Sequence, residues 1–157
     1  MMPSGVHTPI RPVGIRSVGH YLPVRRLLND DLEALGNSAH PEWIVQKTGI
    51  HARHVADDSE ALSDLIIPAA KEALTAGGLA ANDLDALIVA GDNHDTGGVR
   101  LTSTTVAKAL GLESVTVYDI RSGCPGSVLA LHLGCSKRSI VDLNFIKIKI
   151  FISFKKK

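Results

Sequence analysis

Apolar positions along the chain fall into short blocks separated by turns, and their period changes from block to block. "VGIRSVGHYLP" (Val13–Pro23) alternates in part and ends in proline, which predicts a first strand. "NDDLEAL" follows as a helix start, with Asn29 suited to the N-cap and acids in the first turn. "PEWIVQKTG" (Pro41–Gly49) predicts a short helix opened by Pro41 and stopped by Gly49, and "HARHVA" a short extended piece. "SDLIIPAAKEALTAGG" (Ser63–Gly78) predicts a longer helix, with Ser63 as N-cap and a glycine pair as terminator. Pro68 lies inside it, where a proline costs about 3 kcal/mol unless the helix kinks. "LDALIVAGD" (Leu84–Asp92) predicts a buried strand and "TSTTVAKALGL" (Thr102–Leu112) a helix closed by Gly111. "SVTVYDI" (Ser114–Ile120) predicts a strand, and "PGSVLALHLG" (Pro125–Gly134) a helix with proline at its first position. Strands alternating with helices predict an α/β layer, with a mostly parallel or mixed sheet and flanking helices.

The end of the chain breaks this pattern. Asp142–Lys157 contains no Gly, Ala, Pro or Arg and is built largely of Ile, Lys and Phe. "NFIKIKIFISF" alternates apolar residues with Lys and has the pattern of a strand. Ile, Lys and Phe have AT-rich codons, whereas Ala, Gly, Arg and Pro dominate earlier. The expectation is that the reading frame leaves its parent gene near Cys135 to Ile140. The chain then divides into a flexible N-terminus (1–11), one partial domain (12–135) and an atypical Ile/Lys/Phe-rich tail (136–157).

Composition narrows the functional classes. The 157 residues match one domain in size, with an ordinary globular balance of 45% hydrophobic and 21% charged residues. A net charge of +1 gives no reason to expect nucleic acid as a partner. No apolar run approaches the about 20 residues of a membrane span, and "MMPSGVHTPIRPVG" lacks the apolar core of a secretory signal. No membrane partner and a cytoplasmic location are therefore expected. Two cysteines, Cys124 and Cys135, are too few for a disulfide framework, and no compact ligand spacing accompanies them, so no metal is expected.

The candidate chemistry centres on "YDIRSGCPGSVLALHLG" (Tyr118–Gly134). Cys124 lies between a buried strand and a helix N-terminus, where backbone N–H groups and the helix dipole favour a thiolate. The small neighbours Gly123 and Gly126 leave room for a substrate carbonyl. The G-x-S/C-x-G elbow pattern is only partly met, because Ser122 replaces its first glycine. On these residues alone, Cys124 is either a buried structural cysteine or a nucleophile. Trp43, the single tryptophan, caps a core or binds a ligand. Arg53 and His54 read as turn or surface hydrogen-bonding groups. His94, in "GDNHDTGG", reads as an exposed loop residue rather than a base for Cys124 or a metal ligand.

Four ordered motifs add a resemblance. "GIRSVGHYLP", "PEWIVQKTGIHARHVA", "LDALIVAG" and "VTVYDIRSGCPGSVLAL" resemble, in sequence and order, the N-terminal portion of the 3-oxoacyl-[acyl-carrier-protein] synthase III family. The likeness covers residues from about 12 to 135 and implies the N-terminal half of a thiolase-like fold, incomplete here. It implies that Cys124 accepts an acyl group from acyl-coenzyme A as a thioester. The complete enzyme then condenses that group with malonyl-acyl carrier protein, releasing carbon dioxide, in fatty-acid or polyketide-type biosynthesis. The Cys124 backbone N–H would supply part of an oxyanion hole.

The same resemblance places Trp43 against the coenzyme A adenine and Lys47 near its phosphates. The family usually has Arg at the latter position, and Lys keeps the charge but loses the bidentate fork. The Gly98–Leu101 segment falls where the family reaches toward the partner's acyl pocket, although "GGVRLTS" lacks the proline often found there. The implied substrates are acyl-coenzyme A and malonyl-acyl carrier protein, with no cofactor and with a homodimer as the complete assembly. The family's catalytic His and Asn belong to a second half with no counterpart among these residues. The expectation is therefore acyl acceptance without condensation, by a half-fold that exposes apolar surface. The alternatives are a non-catalytic remnant that binds acyl-coenzyme A or a full-length homologue, and a cysteine hydrolase of α/β type.

Overall fold

The computed structural model describes residues 14–36, 38–92 and 101–140, the last four by their backbone alone. Its centre is a parallel pair of strands, β3 (Ala86–Ala90) and β4 (Thr116–Ile120), in register from Ala86 opposite Thr116 to Ala90 opposite Ile120. All five residues of β3 are buried, as expected of a strand covered on both faces. Successive side chains alternate across it. Leu87 and Val89 face Leu62, Ile66, Val106 and Ala107, which come from α3 (Leu62–Ala76) and α4 (Thr102–Ala109). Ile88 and Ala90 face Ala130 of α5 (Gly126–Ile140), with Tyr118, Ile120 and Leu133 around them. The result is a helix–sheet–helix sandwich, with α4 carrying the chain from β3 to the parallel β4.

A second, antiparallel pair joins β1 (Arg26–Leu28) to β2 (Ala52–His54). Between them run α1 (Asn29–Ala34) and α2 (Pro41–Thr48). Helix α2 follows the sequence expectation: Pro41 opens it, and Gly49 stops it at φ +70°, a conformation glycine adopts without a Cβ penalty. The "HARHVA" segment supplies β2, also as expected.

Several expectations need correction. Gly14–Pro23 forms no strand, and part of it is bonded along the C-terminal end of α3 instead. Ser17 Oγ donates to the Ala73 carbonyl at 2.7 Å, and Arg16 Nε to the Gly77 carbonyl at 2.9 Å. Gly19 permits this approach, since a β-carbon there would sit 2.5 Å from the Ala73 nitrogen and against the Ala69 carbonyl. Gly19→Ala is therefore expected to destabilise the fold by about 1–3 kcal/mol, the range for overpacking. Urea denaturation would show it, and an unchanged midpoint would refute the close packing.

Neither expected N-cap is one. Leu28 and Ala61 occupy the cap positions, and carboxylates at the third helical residue reach back to their backbone N–H groups. Asp31 accepts from Leu28 at 2.7 Å and Asp64 from Ala61 at 2.9 Å. Asn29 and Ser63 lie one step inside the caps in α1 and two steps inside in α3, both buried. Asn29 spends its side chain elsewhere. Its Nδ2 donates to the Ile50 carbonyl at 2.8 Å, and its Oδ1 accepts from Arg53 at 2.6 Å. His54 Nδ1 contacts the Pro23 carbonyl oxygen at 2.6 Å, so Arg53 and His54 are hydrogen-bonding groups of the scaffold, as read from the sequence. Pro68 stays within α3, which runs through it from Leu62 to Ala76. Helix α5 starts at Gly126 rather than Pro125 and does not stop at Gly134. It continues to Ile140, across the change in composition, while residues 141–157 lie outside the described residues.

Candidate active site

Five residues, Arg121–Pro125, link the end of β4 to the start of α5. The Gly91 N–H donates to the Ile120 carbonyl at 3.1 Å and extends the parallel ladder to the edge of this link. Gly123 then turns the chain at φ +53°, a left-handed conformation in which an L side chain is strained. Its carbonyl accepts from the Gly126 N–H at 3.1 Å, and the Pro125 carbonyl accepts from Leu129 at 3.0 Å, which closes the first turn of α5. Gly126 is buried, with Ala90 close enough that an added β-carbon would touch it at 3.8 Å. Small residues on both sides thus seat the helix N-terminus over the carboxyl end of β3.

Cys124 sits at the crest of this turn, exposed and free of any disulfide. Its own residues left open a buried structural cysteine or a nucleophile, and in this chain the thiol is at the surface. The thiol stands beyond the carboxyl ends of two parallel strands, where open α/β sheets bind ligands. It also precedes the N-terminus of a 15-residue helix, where developing negative charge is stabilised. Cys135, also exposed and free, lies on α5.

Two carboxylates missed in the sequence hold the surroundings of this turn. Asp92, two residues past β3, accepts the Gly123 N–H at 2.9 Å. Asp119 of β4 accepts the Ser103 N–H at 3.2 and 3.3 Å and the Ser103 hydroxyl as well. Ser103 is fully buried in the first turn of α4, whose N-cap, Leu101, makes no side-chain cap. Asp119 therefore supplies from the neighbouring strand the anion that the helix lacks locally. The only signal for either carboxylate in the sequence is an acid within or just after an otherwise apolar strand.

Trp43 and Lys47 are four residues apart on α2, so they share one helix face, and both are exposed. Trp43 is 54% exposed in this chain. An open groove of about 540 Å³ lies along the same helix, lined by Leu28, Asn29, Pro41, Val45, Gln46 and His51 among others. At 100° per residue its α2 positions point away from Trp43 and Lys47. The groove is thus separate from both expected binding residues and from the Cys124 turn. Helix α2 packs on α1, whereas the Cys124 turn stands on β3, β4 and α5. His94 and Gly98–Arg100 lie outside the described residues, and Leu101 is the exposed N-cap of α4. Among the described residues, no group of three or more His, Cys, Asp or Glu is placed to hold a metal ion. No helix among them is long and apolar enough to cross a membrane.

No family model matches the chain. Individual proteins do. The chain is 41% identical over 119 residues to a beta-ketoacyl-[acyl-carrier-protein] synthase III of Caulobacter vibrioides, covering 76% of this chain and 36% of the relative. It is 40% identical over 139 residues to the enzyme of that name from Rhodospirillum centenum, covering 88% and 40%. The crystal structure of 3-oxoacyl-[acyl-carrier-protein] synthase III from Aquifex aeolicus superposes with a TM-score of 0.71 at 31% identity, covering 88% of this chain and 42% of that one. The chain spans about two fifths of the length of these relatives. Likeness of sequence over most of the chain and likeness of fold agree, and the chain corresponds to the N-terminal portion of the beta-ketoacyl-[acyl-carrier-protein] synthase III family, with its thiolase-like fold.

Proposed function

We propose that this chain is the acyl-accepting portion of a condensing enzyme, with Cys124 as the nucleophile. The exposed, free thiol at the α5 N-terminus carries this reading. The Cys124 sulfur attacks the thioester carbonyl of an acyl-coenzyme A. The carbon–sulfur bond to the coenzyme breaks, and coenzyme A leaves as the thiol, carrying the proton that Cys124 gives up. The Cys124 backbone N–H is proposed to support the oxyanion formed on the way. In the whole enzyme, the acyl group would then pass to malonyl-acyl carrier protein with loss of carbon dioxide. The step proposed for the residues of this chain is formation of the acyl-enzyme. The proposed setting is fatty-acid or polyketide-type biosynthesis in the cytoplasm, with acyl carrier protein as partner, a homodimer as the complete assembly, and no cofactor.

Incubation with acetyl-coenzyme A and intact-mass spectrometry tests the reading: one acetyl group is expected, on Cys124. A folded chain that takes no acetyl group would turn the reading to a non-catalytic remnant. Steady thioester hydrolysis without malonyl substrate would turn it to a cysteine hydrolase.

Trp43 is proposed to stack on the adenine of coenzyme A, and Lys47, on the same helix face, to meet its phosphates. Trp43→Ala is expected to raise the acetyl-coenzyme A concentration for half-maximal acylation by about tenfold, in line with base–aromatic stacking. The thermal midpoint should hold, because the ring is more than half exposed. An unchanged half-saturation would remove Trp43 from the binding site.

A further inference from the structure

We infer that Asp92 is a positioning residue for Cys124, an assignment that deepens the acyl-acceptor reading and rests on it for its catalytic meaning. The turn bearing Cys124 is short and contains a left-handed glycine, so its shape depends on the tethers at its ends. One tether is internal, from the Gly126 N–H to the Gly123 carbonyl. A second comes from outside: Asp92 Oδ1 accepts the Gly123 N–H at 2.9 Å, 31 residues away in sequence. The two bonds hold both polar groups of the peptide residue that immediately precedes Cys124. Asp92 is itself anchored, because it directly follows Gly91, whose N–H bonds the Ile120 carbonyl at the end of β4. The carboxylate thus links the carboxyl end of β3 to the cysteine turn, and it aims the thiol without touching substrate. A small misplacement of a reacting atom is costly.

The test compares Asp92→Ala with Asp92→Asn in the full chain, because an asparagine oxygen can accept the same bond without charge. Acetylation by acetyl-coenzyme A is followed by mass, and iodoacetamide alkylation of Cys124 is followed alongside that of Cys135 as an internal control. Asp92→Ala is expected to slow acylation at saturating substrate by about tenfold and to leave half-saturation in place. Asp92→Asn is expected to recover most of that rate. Asp92 is exposed, so the thermal midpoint of the Ala variant should stay near that of the parent. Wild-type rates in Asp92→Ala would overturn the assignment, as would equal losses in both variants, which would mean that charge and not the bond matters. A slowed alkylation that affects Cys135 equally would overturn it too, as general loosening. If the parent chain takes no acetyl group while alkylation of Cys124 alone follows the Ala and Asn pattern, the acyl-acceptor reading fails and the positioning role stands.

Discussion

Replacing Cys124 by serine is expected to abolish acetylation of this chain by acetyl-coenzyme A, with a rate loss of at least about 100-fold. A thiol is intrinsically a stronger nucleophile than a hydroxyl, and a serine needs an adjacent base to become one. The geometry of the turn should survive, because Cys124 is exposed and the left-handed position is taken by Gly123, which stays unchanged. Serine at position 124 therefore removes the chemistry and leaves the fold. Peptide mapping after acetyl-coenzyme A treatment measures the effect directly. An acetyl group that persists in Cys124→Ser, or that maps to Cys135 in the parent, would move the nucleophile away from the β4–α5 turn.

The second large effect is on stability. Ile88→Ala is expected to cost about 2–5 kcal/mol, the range for truncating a buried aliphatic side chain. Ile88 is 1% exposed at the centre of β3 and meets Ala130, fully buried on α5. The neighbours Ala90 and Ala130 are too short to fill the space left behind, so the cavity should persist. Ile88 also lies under α5, the helix that holds the Cys124 turn, so acylation should fall together with stability. Urea unfolding with an unchanged slope and a lower midpoint is the expected result. A loss below about 1 kcal/mol would mean that the site collapses around the smaller side chain.

The outer face of α5 contrasts with that packed one. Val128 and Leu129 are 65% and 43% exposed. The Tyr21 hydroxyl, by contrast, is satisfied at the surface. It donates to Glu60 at 2.9 Å, and that bond holds its phenol above the usual range.

Local patterns were legible where local physics decides. Pro41 and Gly49 bound α2 because proline suits a first turn and a left-handed stop suits glycine. The run Ala86–Ala90 announced a strand buried on both faces. Patterns misled where distant groups compete. Alternation in Val13–Pro23 suggested a strand, but a ladder needs a neighbour, and the described part of this segment bonds along α3 instead. Asn29 and Ser63 look like caps, but the helices start from Leu28 and Ala61, whose own N–H groups bond the carboxylates of Asp31 and Asp64. Burial then draws the two smaller polar residues inward.

The sequence by itself determined the order of strands and helices from α2 onward and the place of Cys124 between a strand and a helix, because period and turn chemistry act over a few residues. Only the tertiary structure decided that the thiol is exposed, that Asp119 caps α4 from the neighbouring strand, and that Asp92 meets Gly123. Those partners are 16 and 31 residues apart, and nothing local selects them. They come together because β3 and β4 pair in parallel and bring their carboxyl ends to one edge of the sheet.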